Sequence, residues 1–158
     1  MVFSNLFMLL HNSHSRSFVR LFADTCIALQ CKTVLFSRIT ASAASIGIPE
    51  AQKHVLKYDG NLLFFTDLED VLATLHPNAV FLMVAQKYAK ESVPFHDIHT
   101  ALSAGKVLVI VGGSSPGLTR KELDLGRCIF LPNVLYDLNP IAQTALFLGG
   151  LLASRPSI

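Results

Sequence analysis

Six short apolar runs alternate with amphipathic stretches along this chain, and that alternation leaves few folds open to it. The runs Phe3–Leu9, Thr33–Phe36, Leu62–Phe65, Ala79–Val84, Lys106–Val111 and Cys128–Leu131 are each bounded by polar or glycine-containing turns, as buried strands are. Helical patterns fill the gaps. Ser17–Gln30 places Phe18, Leu21, Phe22, Thr25, Cys26 and Leu29 on one face, Pro49–Tyr58 opens on a proline with Glu50 in its first turn, and Asp67 stands as a cap before Leu68–Leu75. Phe95–Ala104 and Thr119–Leu125 complete the set, ahead of a strongly apolar helix from Leu138 to Ala153. Strands alternating with helices predict an α/β fold: a parallel sheet of about six strands with helices on both faces. With 158 residues and no repeat, linker or low-complexity stretch, residues 1–158 read as a single domain.

Composition constrains what such a domain can do. The chain is 51% hydrophobic and only 15% charged, with a mean hydropathy of +0.48, which leaves little polar surface to cover the apolar residues and predicts a hydrophobic self-interface. A net charge of +2 with no run of like charges permits an RNA partner without requiring one. Met1–Leu10 lacks a basic segment before its apolar stretch and a small-residue cleavage pattern after it, so it reads as a strand rather than a signal peptide. The apolar helix is shorter than a membrane span and carries Asn139, Pro140, Gln143 and Thr144, so no membrane is expected. Cys26, Cys31 and Cys128 form no paired framework; reduced thiols and a cytoplasmic location follow.

The chemistry-bearing segments cluster late in the chain. Two apolar strands run into loops of small and turn-forming residues, Gly112-Gly-Ser-Ser-Pro-Gly117 and Pro132–Asn139, and in open parallel sheets the carboxyl edge of the strands is where small molecules bind. The glycine loop spells neither a Walker A loop nor Gly-x-Gly-x-x-Gly, and serves equally as a strand-to-helix turn needing positive φ. Asn139 before Pro140 is an N-cap followed by a first-turn proline, and capping alone accounts for it. The pairs His11/His14 and His96/His99 have no cysteine or carboxylate at ligand spacing, so no metal site is predicted. Arg16 and Arg20 lie one turn apart at the start of the first helix, where Arg20 could simply pair with Asp24.

Taken together, His11-Asn-Ser-His-Ser-Arg-Ser-Phe-Val-Arg20, Val109-Ile-Val-Gly-Gly-Ser-Ser-Pro-Gly-Leu118 and Phe130-Leu-Pro-Asn-Val-Leu-Tyr-Asp-Leu-Asn-Pro-Ile-Ala142 resemble motifs one, two and three of the SpoU branch of the SPOUT RNA methyltransferases, in particular its archaeal SpoU-like group. The resemblance implies a C-terminal trefoil knot, with knot and cofactor pocket in about residues 79–153, and a homodimer formed through the C-terminal helix. It further implies S-adenosylmethionine as cofactor and methylation of a ribose 2′-hydroxyl in tRNA or rRNA. Cofactor contacts would come from Val84, Gly112, Gly113, Gly117, Leu131 and Leu138, largely through main-chain groups. Arg20 matches the catalytic arginine and Asn139 the motif-three asparagine. His14, Ser114 and Asp137 stand where the family carries asparagine, glutamate and serine.

Those three departures also fit a catalytically impaired, knotted RNA-binding or regulatory protein. An unrelated doubly wound enzyme is a third possibility, in which the 112–117 loop meets a nucleotide phosphate at a helix N-terminus. RNA contacts on the dimer surface are expected from Arg16, Arg38, Lys87, Lys90, Arg120 and Lys121, each of which also reads as an ordinary solvated charge.

Overall fold

The computed structural model describes residues 1–113 and 117–157. Among them, seven strands form one all-parallel sheet: β1 (Phe3–Ser13), β2 (Cys31–Ile39), β3 (Asn61–Phe65), β4 (Ala79–Met83), β5 (Glu91–Ser92), β6 (Val107–Gly112) and β7 (Arg127–Phe130), in the order β3-β2-β1-β6-β4-β7-β5. The six expected strands are present, and β5 is an addition: a two-residue edge strand beside β7. The chain first moves outward from β1 through β2 to β3. It then crosses to the other side, where β6 enters between β1 and β4, and β7 between β4 and β5.

The helices are α1 (Arg16–Ala28), α2 (Ile48–Lys57), α3 (Leu68–Leu75), α4 (Phe95–Ala104) and α5 (Pro140–Ala153). The buried stripe of α1 is Val19, Phe22, Ala23, Cys26 and Ile27, and Leu21 is 41% exposed. The helix is therefore turned from the expected face: apolar residues flank the true stripe on both sides, and the sheet selects the set that reaches it. The segment Thr119–Leu125 forms a 3₁₀ turn over Glu122–Leu125 rather than a helix. Gly126 halts it in an extended conformation, where an added Cβ would lie 2.4 Å from the Val80 carbonyl oxygen. A π-helical turn at Ala43–Gly47, not anticipated from sequence, leads into α2.

Alternate side chains of the central strands divide between two cores. Met8, Leu10, Val34, Phe36, Val107, Val109 and Val111 pack with α1, α2, α4 and α5. Leu9, Leu35, Leu82, Leu108 and Ile110 pack with α3 and with Leu118 and Leu125. Strands buried on both faces explain the unbroken apolar runs in the sequence. Each large aliphatic or aromatic side chain so buried contributes about 1.5–3 kcal/mol relative to exposure. No helix among the described residues is long and apolar enough to cross a membrane.

Candidate functional site

The loops that follow β4, β6 and β7 surround an open concavity of about 1040 Å³ at the carboxyl edge of the sheet. Val84, Gly112, Gly113, Gly117 and Leu138, five of the six cofactor-contact candidates, line it. Leu131 lines an adjoining hollow of about 290 Å³ that shares Met83, Val84, Ala85, Asp137, Leu138 and Gln143 with the larger one. Mostly apolar walls with a few polar groups, here Thr119, Arg120, Asp137, Asn139 and Gln143, are the usual make-up of a small-molecule site.

The local sequence explains how the walls stand. Gly117 has φ +82°, the positive φ expected of the glycine loop. Gly113 is required by close approach instead: an added Cβ would lie 2.8 Å from Ser13 Cβ and 3.0 Å from the Asn12 carbonyl oxygen. On the opposite wall, Asn139 caps α5 as predicted, its Oδ1 accepting from the N–H groups of Ile141 (3.0 Å) and Ala142 (2.9 Å). Gln143 donates to the Leu138 carbonyl (3.0 Å), which fixes the start of the helix against the loop.

The remaining candidates divide. Asp137 lines both hollows. Ser114 lies outside the described residues. His14 is exposed at the turn into α1. Arg20 is exposed and does not line the concavity. Phe18 does line it, and at 100° per residue Arg20 points about 160° away around the same helix. Nor does Arg20 pair with Asp24, whose Oδ1 lies 3.0 Å from His54 Nε2. Among the expected RNA contacts, Arg16 is engaged by Glu50, and Arg38 by Asp67 and Glu122. Arg120 lines the concavity, and Lys87 Nζ sits 4.9 Å from the centre of the Tyr88 ring.

One polar cluster has no counterpart in the sequence reading. His11, fully buried at the end of β1, is the sheet partner of Ser37 on β2 and of Gly112 on β6. Its Nδ1 lies 2.8 Å from Ser37 Oγ and its Nε2 3.1 Å from Glu122 Oε1. Glu122 Oε2 accepts the Thr119 N–H at 2.9 Å, and Arg38 bridges Glu122 Oε1 (3.1 Å) and both Asp67 oxygens (2.8 and 2.9 Å). Burial pushes the His11 imidazole below its ordinary range, against the pull of Glu122. Burial alone would raise the Glu122 carboxyl, but the Thr119 N–H, His11 and Arg38 outweigh it and hold it low. A neutral imidazole that accepts from Ser37 and donates to a carboxylate satisfies every member. Ser, His and Glu in a row have the connectivity of a nucleophilic triad, yet Ser37 is fully buried, so no substrate can reach its hydroxyl. The histidine spacing gave no warning of the cluster, because His11 is buried while His14 is exposed.

Comparison with known proteins adds two findings. The chain matches solved structures of SpoU-type enzymes over nearly its whole length. It aligns with a provisionally named methylase family protein from Neisseria gonorrhoeae at TM-score 0.78, 12% identity, covering 98% of this chain and 84% of that one. It aligns with the SpoU methyltransferase AviRb from Streptomyces viridochromogenes, solved in complex with the cofactor AdoMet, at TM-score 0.74 and 11% identity, covering 97% of this chain and 61% of that one. The fold is thus that of the SpoU methyltransferases. In sequence, the chain is 33% identical over 145 residues, 90% of its own length and 93% of the relative's, to a provisionally named type II restriction enzyme of Methanocaldococcus jannaschii. Residues 41–150 match the sequence model of a family described as RecB-family nuclease (DUF2122), and with that match and that identity the chain belongs to this family.

Proposed function

We propose that the chain is an S-adenosylmethionine-dependent RNA methyltransferase, working as a homodimer in the cytoplasm and methylating a ribose 2′-hydroxyl of tRNA or rRNA. The observation that carries this reading is the convergence of Val84, Gly112, Gly113, Gly117 and Leu138 on one concavity at the carboxyl edge of the sheet. AviRb, solved with AdoMet on the same fold, supports it. So does the interleaving of β6 and β7 between strands laid down earlier, a path that fits the expected knot in about residues 79–153.

The residues present suit the cofactor. Phe18, Met83, Leu118 and Leu123 offer apolar walls to a purine ring, while Asp137 and Asn139 offer an acceptor and an amide for hydroxyl and amino-acid groups. When bound, the cofactor supplies an electrophilic methyl group. The chain's own task is to exclude water and to hold the acceptor oxygen in line with that methyl. Arg20 faces away from the concavity of its own protomer, so its catalytic role requires the partner's concavity. The outer face of α5 fits such a pairing: Leu146 is 51% exposed, and an added Cβ on Gly149, on the same face, would meet nothing within 4 Å.

A second reading follows from the family description: nucleic-acid cleavage. Metal-assisted phosphodiester hydrolysis needs carboxylates that converge on divalent ions. Among the described residues no group of three or more His, Cys, Asp or Glu side chains stands so placed. Asp67 and Glu122 are instead engaged by Arg38, and Glu91 and Asp97 by Arg127. The described residues thus do not offer a metal-dependent nuclease its set of carboxylates.

The test is calorimetric titration with S-adenosylmethionine and its demethylated product, with ATP and NAD as controls, followed by labelled methyl transfer to total tRNA and rRNA. Cleavage of DNA and RNA with Mg²⁺ is assayed in parallel. Micromolar cofactor binding and alkali-resistant label in RNA are expected. RNA binding without either would favour the impaired protein, and Mg²⁺-dependent cleavage without cofactor binding would overturn the reading.

A further inference from the structure

The Leu118–Leu123 wall of the concavity has few anchors of its own. It follows the glycine loop, runs into a single 3₁₀ turn, and is exposed at Thr119, Arg120 and Lys121 and half-buried at Leu118, Glu122 and Leu123. Beside the packing of Leu118 and a Cys128 Sγ contact to the Leu123 carbonyl (3.4 Å), its charged tie to the sheet is Glu122. That carboxylate reaches inward to His11 Nε2 and Arg38, and back along its own segment to the Thr119 N–H. From the other side, the His11 carbonyl accepts the Gly113 N–H at 2.8 Å, so one residue at the end of β1 holds both the start and the far side of the loop after β6.

The backbone around this tie is also unusual. Asn12 (φ +63°) and Arg38 (φ +49°) both adopt left-handed conformations, each next to a buried member of the cluster. Asparagine tolerates that region, but for Arg38 it is a strained conformation that persists where the surroundings over-determine it. Here the surroundings are the polar cluster itself: Arg38, turned by its φ, spans Glu122 and the Asp67 cap of α3.

We propose that the Ser37–His11–Glu122–Arg38 chain sets the position of the Leu118–Leu123 wall for ligand binding, with His11 and Glu122 as positioning residues. Neither residue lines the concavity, so their effect passes through the Thr119 backbone and the residues beside it. The inference rests on the cofactor reading above, because the ligand whose affinity reports the wall's position is S-adenosylmethionine.

Two readouts test it on the intact protein: amide hydrogen exchange at Thr119–Leu123 and calorimetric S-adenosylmethionine affinity, with urea midpoints as a check on folding. In Glu122→Ala the Thr119 amide is expected to exchange at least tenfold faster while β1 and β6 amides are unchanged, and affinity is expected to fall at least tenfold. Glu122→Gln, which keeps an acceptor for Thr119 but loses the ion pair with Arg38, falls between. His11→Leu, which fills the buried space but removes the donor toward Glu122, serves as a second variant should Glu122→Ala fail to fold, and it is expected to show the same coupled change. Unchanged Thr119 exchange overturns the proposal at its structural step. Faster exchange with unchanged affinity overturns it at its functional step. A wild-type protein that does not bind the cofactor, with Thr119 protected as expected, instead overturns the cofactor reading and the positioning role with it.

Discussion

Gly150 of α5 is pressed against Phe95 of α4: a Cβ built at Gly150 would lie 2.4 Å from Phe95 Cζ, whereas one at the adjacent Gly149 meets nothing within 4 Å. Phe95 in turn stacks on Phe147 with ring centres 6.3 Å apart, so its ring has little room to retreat. Alanine at each position therefore has opposite consequences. Gly149→Ala is expected to stabilise by about 0.5–1 kcal/mol, the usual gain in a helix interior. Gly150→Ala is expected to lose about 1–3 kcal/mol to overpacking, and Phe95→Leu in the same chain should recover most of it. Urea midpoints of the three variants measure this, and equal effects at the two glycines would refute the packing.

Stability should fall on mild acidification because of His11. The group faces Glu122 from the 3₁₀ turn, Arg38 and Ser37 from β2, and Asp67 from the cap of α3. Its folded-state proton affinity is depressed, so between that lowered value and about 6.5 the unfolded chain binds more protons than the folded one. Stability is full above about pH 6.5 and declines below it, by about 1.4 kcal/mol for every tenfold loss of proton affinity. Glu122, held low, adds a further loss below its ordinary value of 4.5. Urea midpoints from pH 5 to pH 8 are expected to show the decline in the wild type and a flatter profile in His11→Gln.

What sequence could and could not reveal follows from how local each cause is. The bounds Leu68–Leu75 of α3 and the Asn139 cap of α5 were readable because cap, periodicity and terminating residue lie within a few positions of one another. The concavity was readable in outline because loops after adjacent parallel strands must share an edge. The His11 cluster was not: its members are 26 and 111 residues apart, and only the register that sets His11 beside Ser37 and Gly112 brings them together. The orientation of Arg20 was equally hidden, since α1 carries apolar residues on both sides of its buried stripe and the sheet decides which side turns inward.

The three thiols should differ in reactivity by burial. Cys26 is fully buried and its thiol pKa is pushed far up; burial raises Cys31 to about 12; Cys128, half-buried, is raised by burial and by Asp124. Alkylation at pH 8 is therefore expected to modify Cys128 first and slowly, while Cys26 and Cys31 react only at the rate at which the protein opens globally. Mass mapping over time distinguishes the sites, and early labelling of Cys31 would contradict the packing of β1 on β2.

Asn139 does two things that one substitution can separate. Its Oδ1 caps α5, while the residue lines the concavity and has an amide left over for a ligand. Asn139→Ala loses the cap and should cost about 1 kcal/mol, which says nothing about the ligand. Asn139→Asp keeps an acceptor for both capped N–H groups and adds a negative charge at a helix N-terminus, where it is favoured, but it removes the Nδ2 donors. Asn139→Asp is therefore expected to unfold at the same or a higher urea concentration than the wild type and to bind S-adenosylmethionine at least tenfold more weakly. Unchanged affinity in that variant would assign Asn139 to capping alone and leave Asp137 and Gln143 as the polar contacts on that wall.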